Sequence, residues 1–121
     1  MSGMVSLHHV SLIVEDTERA LAFYTGLLEI ESCYRPELSF PGAWLQLGEQ
    51  QIHLLELPSP DSGVARPDHV GRDRHLAMAV TDLDAVKRRL EQAGISYTSS
   101  QSGRLAIFCR DPDGNGVELI G

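Results

Sequence analysis

The chain has no apolar run close to the roughly 20 residues that a membrane-spanning helix needs, and no basic segment followed by an apolar one near Met1 that would read as a signal peptide. It has two cysteines, Cys33 and Cys109, far apart in strand-like runs. They form no CxxC pair and no secreted disulfide framework. The expectation is two reduced, buried thiols in a cytoplasmic protein. Basic residues are scarce too: ten Lys and Arg against 17 Asp and Glu give a net charge of −7 and a pI near 5.1. A nucleic-acid surface needs concentrated positive charge, so that class of partner is excluded. The one basic cluster, Lys87-Arg88-Arg89, falls inside a helical pattern and reads as a solvated face.

What is present is a repeat. His9-Val10-Ser11-Leu12-Ile13-Val14 leads to Asp16, and His75-Leu76-Ala77-Met78-Ala79-Val80 leads to Asp82; both pairs of equivalent residues are 66 positions apart. Gln51-Ile52-His53-Leu54-Leu55 lies over Gly116-Val117-Glu118-Leu119-Ile120 at an offset of 65. A shared offset sustained over this length is the mark of a duplicated unit. Each copy opens on a strand carrying a His and closes on a strand carrying His53 or Glu118.

The elements follow from periodicity. Alternation over 6–14 predicts a strand in which His9 shares a face with Ser11 and Ile13 while His8 faces the other way. Asp16 caps a helix whose apolar face is Ala20, Leu21, Tyr24, Leu27 and Leu28. Strands are predicted over 30–35, 43–47 and 51–57. The stretch 58–73, with three prolines, is a linker and a candidate lid. A strand over 74–81 follows, then a helix capped by Asp82 that buries Leu83, Val86, Leu90 and Ala93. Gly94 stands at its C′ position. Strands over 95–99, 104–110 and 116–120 complete the chain, with Asp111-Pro112-Asp113-Gly114-Asn115-Gly116 a strong turn signal. The order is βαβββ twice: an α+β fold of two modules, 6–57 and 74–120, whose curved sheets would enclose a cup.

With Phe23-Tyr24-Thr25-Gly26-Leu27-Leu28, Gly71-Arg72-Asp73-Arg74-His75-Leu76-Ala77 and Asp111 to Leu119 added to the first strand, the sequence resembles the vicinal oxygen chelate superfamily. That group includes glyoxalase I, methylmalonyl-CoA epimerase, fosfomycin-resistance transferases, extradiol dioxygenases and bleomycin-resistance proteins. The resemblance implies a divalent metal held by His9, His53, His75 and Glu118, the four residues that the repeat also singles out. Nickel, zinc or cobalt suits such a set best, with iron or manganese as alternatives. It also implies a homodimer and a small-molecule substrate with two neighbouring oxygens. His53 fills a position that the dioxygenase and fosfomycin branches leave without a ligand, which points to the glyoxalase I-like branch. There the activity is isomerase, lyase or epimerase chemistry through an enediolate-like species, with Glu118 as catalytic base. Ile13 stands where glutathione-using glyoxalases carry an Arg. Trp44, Arg104 and Phe108 are candidate substrate contacts, and Arg72 and Arg110 are further candidates for an anionic group. The alternatives are an extradiol-type dioxygenase or thiol transferase, and a metal-free drug-binding module. His8 and His69 are read as ordinary histidines.

Overall fold

The computed structural model describes residues 2–121. It contains eight strands: β1 (His9–Val14), β2 (Glu31–Cys33), β3 (Gly42–Leu47), β4 (Gln50–Glu56), β5 (His75–Ala79), β6 (Thr98–Ser99), β7 (Ala106–Arg110) and β8 (Gly116–Ile120). They form two four-stranded sheets of identical plan, ordered β1-β4-β3-β2 and β5-β8-β7-β6. In each, the first strand pairs in parallel with the last and the remaining pairs are antiparallel. The predicted βαβββ duplication is therefore the architecture. The linker carries a short 3₁₀ turn, Val70–Arg72.

The helices differ between modules. α2 (Leu83–Gln92) is a regular α-helix, with the Asp82 carboxylate accepting from the Ala85 N–H at 3.1 Å. It ends as predicted: Gly94 sits at φ 72°, its N–H bonds the Glu91 carbonyl, and Ile95 reaches back to Leu90 at 2.9 Å. That is the left-handed glycine cap. α1 (Thr17–Leu21) starts the same way, with Asp16 accepting from Arg19 N–H at 3.1 Å, but Ala22–Leu27 continues it as a π-helix. Phe23, left out of the predicted apolar face, is buried in the core beside Tyr24. Strand ends also contract. The first strand begins at His9 rather than at residue 6, and only Thr98–Ser99 of the predicted 95–99 strand pairs.

One core spans both modules. Val14, Phe23, Tyr24, Leu45 and Leu54 of the first pack in one cluster with Met78, Val86, Leu90, Val117 and Leu119 of the second. Successive strand residues point to opposite faces. The other face of each sheet, which carries His9, Trp44 and His53 or His75, Phe108 and Glu118, is thus turned away from this shared core.

The Asp111–Gly116 turn joins the modules. Asp111 is buried and accepts from Tyr24 Oη at 2.8 Å, from the Asp113 and Asn115 backbone N–H groups and from Asn115 Nδ2, each at 2.9 Å. Asn115 Nδ2 also donates to the Ile13 carbonyl at 3.1 Å, and Asp113 Oδ1 accepts from Glu15 N–H and Arg19. Burial raises the Asp111 carboxyl above its ordinary range, partly offset by these donors. Burial and the neighbouring Asp111 charge push the Tyr24 phenol up as well. The Cys109 thiol, buried beside them, rises to about 12 and is inert. Cys33 and Cys109 are both free.

Candidate functional site

Strand register places the four candidate ligands at equivalent points of the two sheets. His9 stands opposite Gln51 on β4, and His75 opposite Gly116 on β8. His53 is flanked by Trp44, and Glu118 by Phe108. The structure brings them together as two pairs. In the first half-site the His9 and His53 rings stack with centroids 4.1 Å apart, and Trp44 covers the other face of His53 at 4.0 Å and 4°. Burial, followed by the charges of His9 and His8, lowers the His53 pKa. In the second, His75 Nε2 lies 3.1 Å from Glu118 Oε1, while Arg104 donates to Oε2 at 2.9 Å. Among the described residues no three His, Cys, Asp or Glu side chains stand close enough to hold one metal ion. The two pairs do not meet within a single chain.

Each pair is a donor set of the kind that holds a divalent cation of borderline softness, imidazole with imidazole or imidazole with carboxylate. Two donors make an incomplete site. Glu118 is only 3% exposed, and a buried carboxylate must find cationic or hydrogen-bonding partners. His75 is aimed by its Nδ1, which donates to the Asp73 carbonyl at 2.8 Å and leaves Nε2 toward Glu118. A Cβ on Gly116 would meet that of His75 at 2.9 Å, so the ring's position depends on a glycine opposite it.

The other candidates sort clearly. Trp44 stacks on His53, and Phe108 sets its ring edge-on to His75 at 5.5 Å. Arg104 touches Glu118 while its side chain stays 55% exposed. Arg110 is occupied with Asp73, the Gly114 carbonyl and the Pro67 carbonyl, and so is a brace of the linker. Of the two remaining histidines, His8 does not face away from His9 as the alternation predicts. His8 precedes the strand, escapes its alternation, and brings its Nδ1 to 2.9 Å from that of His9. His69 caps the 3₁₀ turn, accepting from Gly71 N–H, and sets its ring against Phe108. Neither role has a motif that would reveal it in sequence. An open groove of ≈ 1040 Å³ runs between β1, β5 and the linker, and of the four candidate ligands only His75 borders it.

Paired βαβββ modules, each presenting one pair of candidate ligands on the sheet face opposite the core, define a paired-module scaffold. The chain belongs to the Glyoxalase/Bleomycin resistance protein/Dioxygenase superfamily, whose model matches residues 6–119. It is 31% identical to Glyoxylase I 4 of Arabidopsis thaliana, over 96% of this chain and 70% of that protein. It is 34% identical to the uncharacterised protein YwkD of Bacillus subtilis, over 94% of each. The fold matches that of the fosfomycin resistance protein FosX from Listeria monocytogenes, solved with Mn(II) and 1S,2S-dihydroxypropylphosphonic acid, with a TM-score of 0.75 at 20% identity, covering 100% of this chain and 93% of that one.

Proposed function

We propose that this is a metal-dependent enzyme of the glyoxalase I-like type, whose site forms when His9 and His53 of one copy meet His75 and Glu118 of a second. The observation that carries this reading is the register: two ligand pairs at equivalent sheet positions, on faces turned away from the core that joins the modules. A second copy supplies the missing pair to each half, and a dimer then holds two complete sites. The substrate is a small molecule with two neighbouring oxygens, and the reaction a proton transfer beside a carbonyl, as in an isomerase, lyase or epimerase. A divalent ion held by these four residues would supply Lewis-acid stabilisation of the oxyanion that develops.

The chain's own groups do the remaining work. Glu118 is the base, the one carboxylate of the set and therefore the one group in it suited to take a proton from carbon. Arg104 holds its Oε2, fixing the carboxylate plane and leaving Oε1 as the proton-accepting oxygen. His75, steered by the Asp73 carbonyl, keeps its own Nε2 on that same oxygen's side. Trp44 and Phe108 wall the two halves with apolar surface and exclude water from the reacting carbon.

Complementation tests the arrangement. His9→Ala and His75→Ala chains should each be inactive and bind no stoichiometric metal. Mixed after dissociation, they form heterodimers in which one site carries both lesions and the other carries neither. Statistical mixing should restore about a quarter of wild-type activity. No recovery in mixtures shown to contain the heterodimer would place the site within one chain or refute it altogether.

A further inference from the structure

Three side chains on the first half-site form a directed hydrogen-bond chain that none of the roles above uses. Gln46 Nε2 contacts two backbone carbonyls, those of Gly48 at 2.8 Å and Gln50 at 3.2 Å. A carbonyl oxygen only accepts, so this end of Gln46 must be its NH₂ group, and its Oε1 must face Gln51. Gln51 answers with Nε2 at 3.0 Å, the same nitrogen that approaches the Cys33 sulfur at 3.6 Å. The orientation of the Gln51 amide is thereby set, and its Oε1 is the atom 2.8 Å from His53 Nε2. An amide oxygen has no proton to give. The hydrogen in that last bond therefore belongs to the imidazole.

We propose that Gln46 and Gln51 are positioning residues that hold neutral His53 as its Nε2–H tautomer, leaving Nδ1 as the nitrogen with a free lone pair. Two backbone carbonyls anchor the polarity of the relay, and it runs in one direction through two amides to the ring. His53 lies flat between Trp44 and His9, so only its edge is open for ligation, and the relay decides which edge nitrogen is the donor. Module two has no counterpart. Arg110 and Gly116 hold the register positions of Gln46 and Gln51, and Glu118, with two equivalent oxygens, needs no tautomer set. The consequence for ligation rests on the function proposed above; the tautomer itself does not.

The test is imidazole ¹⁵N NMR of the metal-free protein at pH 8.5, where histidines are neutral, with His53 assigned by His53→Gln. Wild type should show His53 Nε2 in the protonated range and Nδ1 in the unprotonated range, with a tautomer ratio of at least about tenfold. Gln51→Leu should bring that ratio to within about twofold of parity, Gln46→Leu should lower it partway, and Gln51→Glu, which can only accept, should keep the wild-type pattern. A protonated Nδ1 in wild type, or a ratio untouched by Gln51→Leu, overturns the proposal, and the wild-type spectrum alone suffices if a variant does not fold. Zn²⁺ titration then separates this claim from the metal reading. A shift centred on His53 Nδ1 supports both. No histidine responding defeats the metal site and leaves the relay standing, whereas ligation through Nε2 defeats the relay's role.

Discussion

The two half-sites are copies that have diverged in kind. The first is built of stacked rings, Trp44, His53 and His9 in sequence, and a side-chain amide orients His53. The second is built of charge, with a buried carboxylate between an arginine and a histidine. The same sheet position thus holds an imidazole in module one and a carboxylate in module two.

The largest expected effect breaks this asymmetry. Glu118→Gln preserves shape and removes the proposed base, so kcat should fall by about 10²- to 10⁴-fold, measured with any substrate that the wild type turns over. His53→Gln leaves the proton-carrying residue in place and supplies an amide oxygen as a substitute donor. Its cost should lie mainly in metal affinity, about tenfold, read by competition with a chelating dye. Equal losses of kcat in both variants would show that the two halves share the chemistry.

The modules also differ in how they are tied down, and stability measurements sharpen that contrast. Module two reaches across through Asp111, which four donors address, whereas among the described residues the side-chain hydrogen bond that ties α1 to its own sheet is that from Thr17 N–H to Glu56 Oε1 at 2.8 Å. Asp111→Ala leaves several buried donors unmet and should destabilise by about 2–4 kcal/mol, Tyr24→Phe by about 1–2 kcal/mol, and Glu56→Ala by about 1 kcal/mol. Urea unfolding of the three variants gives the order. The Asp111–Gly116 segment, conspicuous in sequence as a turn, acts as this clamp through Asp111, Asp113 and Asn115, while its last residue, Gly116, makes room for His75.

Much of this was legible from residues alone, for a physical reason: the features that repeat at a fixed offset are those that the fold repeats. The strand order, both Asp caps, Gly94 and the register of His9 with His75 follow from period and offset. The pairing of modules through their helix faces does not. Leu12 and Val14 look equally apolar whichever partner covers them, so the sequence cannot say that one chain brings its four candidate ligands together only as pairs. The His8–His9 contact, the Gln46–Gln51–His53 relay and the π-turn were hidden too. Each depends on a side-chain direction or a backbone width that periodicity averages away.

A pH-dependent contrast comes next in size. Asp73 ends the linker just before module two, paired with Arg66 and Arg110, and these donors hold its carboxyl well below the usual range. A folded-state pKa below the unfolded one contributes stability that is present above the unfolded value, near 3.8, and is lost as pH falls toward the folded one. Asp73→Asn should therefore be less stable than wild type at neutral pH, and the gap should close as the pH drops below about 4. A gap that stays constant between pH 7 and pH 3 would mean that the ion pairs add nothing beyond the hydrogen bonds that Asn retains.

The smallest effect compares the two helix ends. Gly94 closes α2 in the left-handed region without cost, while the equivalent residue after the π-turn is Glu29, at φ 61°. A residue with a Cβ pays about 1–2 kcal/mol to stand there, and glycine gives back part of that through the entropy of the unfolded chain. Glu29→Gly also removes an exposed contact with Arg89 at 3.2 Å, and such surface pairs contribute little. The net should be a gain of about 0.5–1 kcal/mol, a rise of a few degrees in Tm. The Ile30 N–H bond to the Tyr24 carbonyl, 3.0 Å, spans one residue more than the Ile95–Leu90 bond that closes α2. If Glu29→Gly instead destabilises, the widened end of the first helix requires the side chain at that position, and the two caps are not equivalent devices.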